Sequence, residues 1–64
     1  MKVKSNCLKK GTKVELIEKI SDVFPGGKKG ESLGEGIRLN ETTVEFEDGN
    51  VISVETSKLK IISN

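Results

Sequence analysis

Histidine, tryptophan and tyrosine are absent from this 64-residue chain, and cysteine, proline and methionine occur once each. Without histidine no Ser-His-Asp or Cys-His arrangement can form, and no imidazole can ligate a metal. The lone Cys7 excludes an intrachain disulfide and a cysteine zinc site. It reads as an incidental thiol, with a reactive or pairing thiol as the lesser alternative, and fits a reducing compartment. Without Trp or Tyr the usual stacking platforms for single-stranded nucleic acid are missing. Two Phe cannot build an aromatic methyl-lysine cage. No apolar run approaches the ~20 residues that span a bilayer. The opening MKVKSNCLKKG is basic but lacks the apolar stretch of a secretory signal, so a cytoplasmic location is expected.

An excess of one charge is also lacking: eleven basic residues face ten acidic ones, for a net charge of +1. The sum does not mark a nucleic-acid binder, whose domains usually reach a pI above about 9. The distribution is less even. Lys2, Lys4, Lys9, Lys10 and Lys13 precede any acid, and Glu41, Glu45, Glu47 and Asp48 cluster later, which predicts a basic end and an acidic end. One domain is the ceiling at this length, and such a domain buries only ~60% of the surface its unfolded chain exposes. Its core must come from Val, Ile, Leu and the two Phe. A deep pocket would hollow out so small a core, which argues against an enzyme or a bound cofactor.

What is present is strand-like patterning punctuated by glycine. Residues 1–10 read as a basic, polar arm, with a folded domain over 11–64. In KGTKVELIEKI, Val14 and Leu16 alternate with Lys13 and Glu15, which predicts a strand. Leu16, Ile17 and Ile20 also fit a helical stripe, but the flanking Gly11-Thr12 and Pro25 favour the strand. Phe24, apolar in a polar loop, is expected to fold back over one end of the core or to serve as an exposed contact. Pro25-Gly26 suggests a type II turn. In ESLGEGIRL, Leu33, Ile37 and Leu39 share one parity, predicting a bent strand with those three inward and a turn at Asn40-Glu41. Val44 and Phe46 point one way while Thr43, Glu45 and Glu47 point the other. Asp48-Gly49 then predicts a type I′ hairpin turn, with Ile52 and Val54 inward on the return strand. Thr56-Ser57-Lys58 reads as a short turn or one 3₁₀ turn, and Leu59 and Ile61 as the inward pair of a closing strand. The whole predicts an all-β fold: five short strands of a strongly bent antiparallel sheet closed into a small barrel.

Chemistry is scarce along this scaffold. Paired carboxylates occur only as Glu45, Glu47 and Asp48, and Glu45 and Glu47 share a strand face expected to be wet, where general acid catalysis is not supported. The spacing of a calcium-binding EF-hand loop is absent. GGKKGES lacks the Gly-Lys-Ser/Thr ending of a phosphate-binding loop. Lys28 and Lys29 therefore read first as turn residues and second as phosphate contacts without base specificity.

KGTKVELIE, PGGKKGES, TTVEFEDGN and KLKII together resemble a family of small SH3-like domains of Gram-positive bacteria, their phages and mobile elements. The resemblance covers residues 10–62 and rests on Lys10-Gly11-Thr12, Pro25-Gly26, Lys29-Gly30 and Asp48-Gly49. It departs at Glu31-Ser32, where the family has Thr and Val, and at Phe46, where it has Trp. There is a looser similarity to KOW-type and Tudor-type barrels. The resemblance implies an SH3-like barrel and a mobile-element origin, and fold analogy does not supply a function.

The leading expectation is a non-catalytic protein-interaction module, an adaptor or inhibitor. Its contacts would be Phe24, Lys28, Lys29, Arg38, Glu45 and Glu47, or an exposed edge strand. The alternative is a nucleic-acid accessory touching phosphates through Lys4, Lys9, Lys10, Lys28, Lys29 and Arg38. A weak homodimer is a further expectation; no cofactor and no membrane partner are expected.

Overall fold

The tightest element is the hairpin around Asp48-Gly49. Strand β3 (Glu41–Phe46) pairs antiparallel with β4 (Val51–Glu55), setting Val44 opposite Ile52 and Thr42 opposite Val54. The Phe46 N–H donates to the Asn50 carbonyl at 2.8 Å, and the Gly49 N–H donates to the Phe46 carbonyl at 2.9 Å. Only Gly49 has positive φ (90°) within this turn. The connection is therefore a three-residue loop ending in a left-handed glycine, not the expected type I′ turn, which needs positive φ at Asp48 as well. Asp48 adopts the turn through its side chain instead, accepting from the Asn50 N–H at 3.1 Å.

The computed structural model describes residues 6–63. Besides the hairpin it contains β1 (Lys13–Leu16), β2 (Lys29–Glu35), a 3₁₀ turn (Thr56–Lys58) and β5 (Leu59–Ser63). All pairings are antiparallel, in a single sheet of order β4-β3-β2-β1-β5. The all-β expectation and the five strands hold, as does the 3₁₀ turn. The sheet is not closed, however, because β4 and β5 remain its two edges.

Chain connectivity forces this sheet to curl. In a flat sheet, four inter-strand spacings would hold β4 and β5 about 19 Å apart. Yet the end of β4 at Glu55 reaches the start of β5 at Leu59 in four Cα steps, which span at most about 14 Å. The two halves of the sheet must therefore fold toward each other. Val14, Leu16, Val44, Phe46, Val54 and Leu59 fill the space between them, with Leu8, Phe24 and Ile52 packed against that cluster.

The crease runs along β2, and it reverses the expected parity there. Ser32 is fully buried, while Leu33, Ile37 and Leu39 are 37%, 87% and 56% exposed. The inward residues of β2 are small because the crease leaves no room. A Cβ on Gly30 would lie 2.7 Å from the Glu45 carbonyl oxygen and 2.8 Å from Val44 Cγ1. A register shift between Ser32 and Gly34 supplies the expected bend. Ile37 and Leu39 belong to the following loop, which turns at Asn40 (φ 65°) as expected.

Two further expectations are corrected. The first strand ends at Leu16, and residues 17–28 form a two-limbed loop closed by the Gly27 N–H donating to the Leu16 carbonyl at 2.7 Å. In this loop the Lys28 N–H donates to the Pro25 carbonyl and Gly27, third in that turn, carries the positive φ, in keeping with the expected type II turn. Ile61, expected inside, is 52% exposed, because β5 runs out past the core beyond Leu59. Among the described residues every buried side-chain polar atom has a hydrogen-bond partner. Thr42 Oγ1 accepts from the Leu8 N–H at 3.1 Å and lies 2.8 Å from Thr56 Oγ1. Ser32 Oγ donates to the Leu8 carbonyl and accepts from the Gly34 N–H.

Candidate functional site

Phe24 and Lys28 meet at one end of the core. The 17–28 loop folds back so that the Phe24 ring lies 5.3 Å from that of Phe46, tilted by 53°. Phe24 thus covers the core end, the first of its two expected roles. Lys28 is drawn inward beside it: its ammonium sits 5.0 Å from the Phe24 centroid and 5.8 Å from that of Phe46. Its Nζ donates to the Val23 carbonyl at 2.7 Å and forms an ion pair with Asp48. Only 15% of the Lys28 side chain is exposed. That charge is engaged within the fold and is not presented to a phosphate. Its hydrogen bond to Asp48, aided by the Asn50 N–H, holds the Asp48 carboxyl below its ordinary value of 3.8.

Lys29, Glu45 and Glu47 come together elsewhere, on the outer face of the sheet. Strand register sets Glu15 between Lys29 and Lys60, Lys13 opposite Glu31, and Glu31 opposite Glu45. Lys13 and Glu31 form an ion pair. Lys13, Lys29, Glu31, Glu45, Glu47 and Ile62 line a shallow groove of about 470 Å³. Opposite charges facing across strands stabilise the face, and the Glu31–Glu45 pair works against it. Arg38 lies in a third place, the 36–40 loop, beside Asn6 and Glu55. Lys9 and Lys10 occupy a fourth, and Lys4 lies outside the described residues. The lysines and arginine named as phosphate contacts therefore do not converge on one surface among the described residues.

The surface that the sequence reading did not single out is β5. This strand is bonded to β1 alone, and its register against β1 shifts between Lys13 and Val14, so that Ile62 is the extra residue between the partners of those two. Ile61 lines a groove with Leu8, Lys9 and Lys10, whereas Ile62 lines the outer groove with Glu45 and Glu47. The two isoleucines are 52% and 47% exposed. Their adjacency in the sequence was the available signal, since a run of two apolar residues breaks strand alternation where a bulge sits. Nothing in the sequence marked β5 as an edge. Among the described residues no three His, Cys, Asp or Glu side chains gather as they would around a metal ion, and no helix is long and apolar enough to cross a membrane.

No family model, curated protein or solved structure matches this chain significantly.

Proposed function

We propose that this chain is a small non-catalytic binding module that captures an extended segment of another protein along β5. The observation that carries the reading is an edge strand with an exposed isoleucine lining a groove on each side of it. An unpaired edge offers a row of backbone donors and acceptors to an added strand, and flanking side chains supply selectivity. The strand order, the curl and the 3₁₀ turn between β4 and β5 support the finer reading of an SH3-like barrel. The resemblance in sequence extends the proposal to a mobile-element origin, and the bare β5 edge to an adaptor or inhibitor acting in the cytoplasm.

The nucleic-acid alternative is the weaker reading, because Lys28 is internally paired and the remaining cations are dispersed. Affinity capture with the wild-type chain and with the Ile61→Lys/Ile62→Lys variant tests the proposal. The wild type is expected to retain one partner in stoichiometric amount and the variant to lose it. Retention of nucleic acid alone, or equal recovery by both chains, would overturn it.

A further inference from the structure

Few backbone groups of β5 face its open edge. The Ile17 N–H donates to the Lys58 carbonyl at 2.9 Å, and the register continues through Leu16↔Leu59, Glu15↔Lys60 and Val14↔Ile61. Antiparallel neighbours alternate between bonded and non-bonded pairs. Lys58 and Lys60 therefore turn their backbone groups toward β1, and Leu59 and Ile61 turn theirs outward. The Leu59 N–H is already taken by the Thr56 carbonyl. Beyond Ile61 the register shift interrupts the strand. The edge thus presents a donor and an acceptor at Ile61, with the Leu59 carbonyl as a second acceptor. Both exposed isoleucines, Ile61 and Ile62, sit at this point.

We propose that two copies of this chain pair antiparallel through β5 about a two-fold axis at Ile61, and that this pairing closes the edge to other proteins; the second half rests on the edge-capture reading. At the axis each Ile61 N–H donates to the Ile61 carbonyl of the other copy, an isologous exchange that leaves neither group over. Directly opposed residues share a face, so the two Ile61 side chains meet on the Leu8 side. Lys60 then falls opposite Ile62 of the second copy on the outer face, where its stem covers that side chain while its ammonium stays in water. On so short an edge, backbone bonds alone do not hold a flexible peptide, because ordering one residue costs about as much as one such bond returns. A second β5 is ordered beforehand. A captured protein competes through side chains in the two flanking grooves. Charge and area keep the self-pair weak. Lys9, Lys10 and Lys60 of both copies approach one another, and none has an ion pair among the described residues. The contact also falls short of the ~800 Å² per partner of a standard interface. The dimer therefore forms at high concentration, and added salt tightens it by screening the lysines.

Sedimentation equilibrium of the full chain from about 10 μM to about 1 mM tests the pairing. A monomer–dimer equilibrium is expected, tighter at about 0.5 M than at about 0.05 M salt, with amide resonances of residues 59–62 shifting as concentration rises. Ile61→Pro removes the outward N–H and leaves the bonds to β1, and should weaken the dimer about tenfold. Its circular dichroism reports whether it folds; Ile61→Lys, which sets like charges on the axis, is the second variant. A single monomeric species up to about 1 mM, or shifts confined to residues outside 59–62, would overturn the self-pairing and leave edge capture to its own experiment. Closure is tested with Cys7→Ser/Ile61→Cys, whose Cα atoms at the axis would lie about 5.5 Å apart, within disulfide range. The dimer locked with oxidised glutathione should retain no partner in the capture experiment, and reduction should restore retention. Equal retention by the locked and reduced forms would overturn closure. Capture of nothing by the wild type would sink the capture reading, while the self-pairing would stand on its sedimentation.

Discussion

Lys28 is where sequence and structure diverge most in meaning. In the sequence it is one of two lysines in a glycine-rich loop, suited to contact something outside. In the fold its stem and ammonium are spent on two phenylalanine rings, a carbonyl and Asp48. Lys28→Ala should destabilise the fold by about 1–2 kcal/mol through lost packing and cation–π attraction, measurable by urea unfolding. Its partner sets an acid limb. The folded state lowers the Asp48 pKa beneath the ordinary 3.8, so the associated stability is fully present above that value. It is lost as pH falls through the lowered folded value. Asp48→Asn is expected to be less stable than the wild type at neutral pH, with the two converging below pH 3.8. A constant difference across the titration would show that the carboxyl charge is not what matters.

At the level of the element, β2 decides the shape. Leu33 looks like a core residue because it is apolar and alternates with glycine. That logic holds on a gently twisted strand, where the inward face has room for side chains. It fails at a crease, where β3 closes over the inward face at Gly30 and Ser32 is fully buried. Gly30→Ala should therefore cost about 1–3 kcal/mol by overpacking against Val44. Leu33→Thr, on the exposed side, should remain within about 0.5 kcal/mol of the wild type. Thermal denaturation of both variants checks the pair, and the opposite order would mean that the crease lies elsewhere. The β3–β4 hairpin behaved differently. Val44, Phe46 and Val54 were legible because both strands pass through the core at regular alternation.

For the molecule as a whole, the consequence of an unclosed sheet is a pair of edges. Val54 and Leu59 end the buried cluster on either side of the 3₁₀ turn, and β5 then carries Ile61 and Ile62 out of it. Ile61→Thr/Ile62→Thr is thus expected to keep the unfolding free energy within about 1 kcal/mol of the wild type, two surface substitutions contributing at most about 0.5 each. The same variant should lose retention of a partner in the capture experiment. A large stability loss would instead make the two isoleucines part of the core.

From the residues alone came the all-β class, the five strands, the 3₁₀ turn and the inward pattern of the hairpin. These follow from local alternation and turn chemistry, which act over a few neighbouring positions. The exchange of β2 faces, the internal use of Lys28 and the exposure of β5 had to await the tertiary structure. Each depends on which strand is central, which is an edge and which loop folds over an end. Those relations join residues far apart in the chain, such as Lys28 with Asp48 and Gly30 with Val44, and no local pattern encodes them.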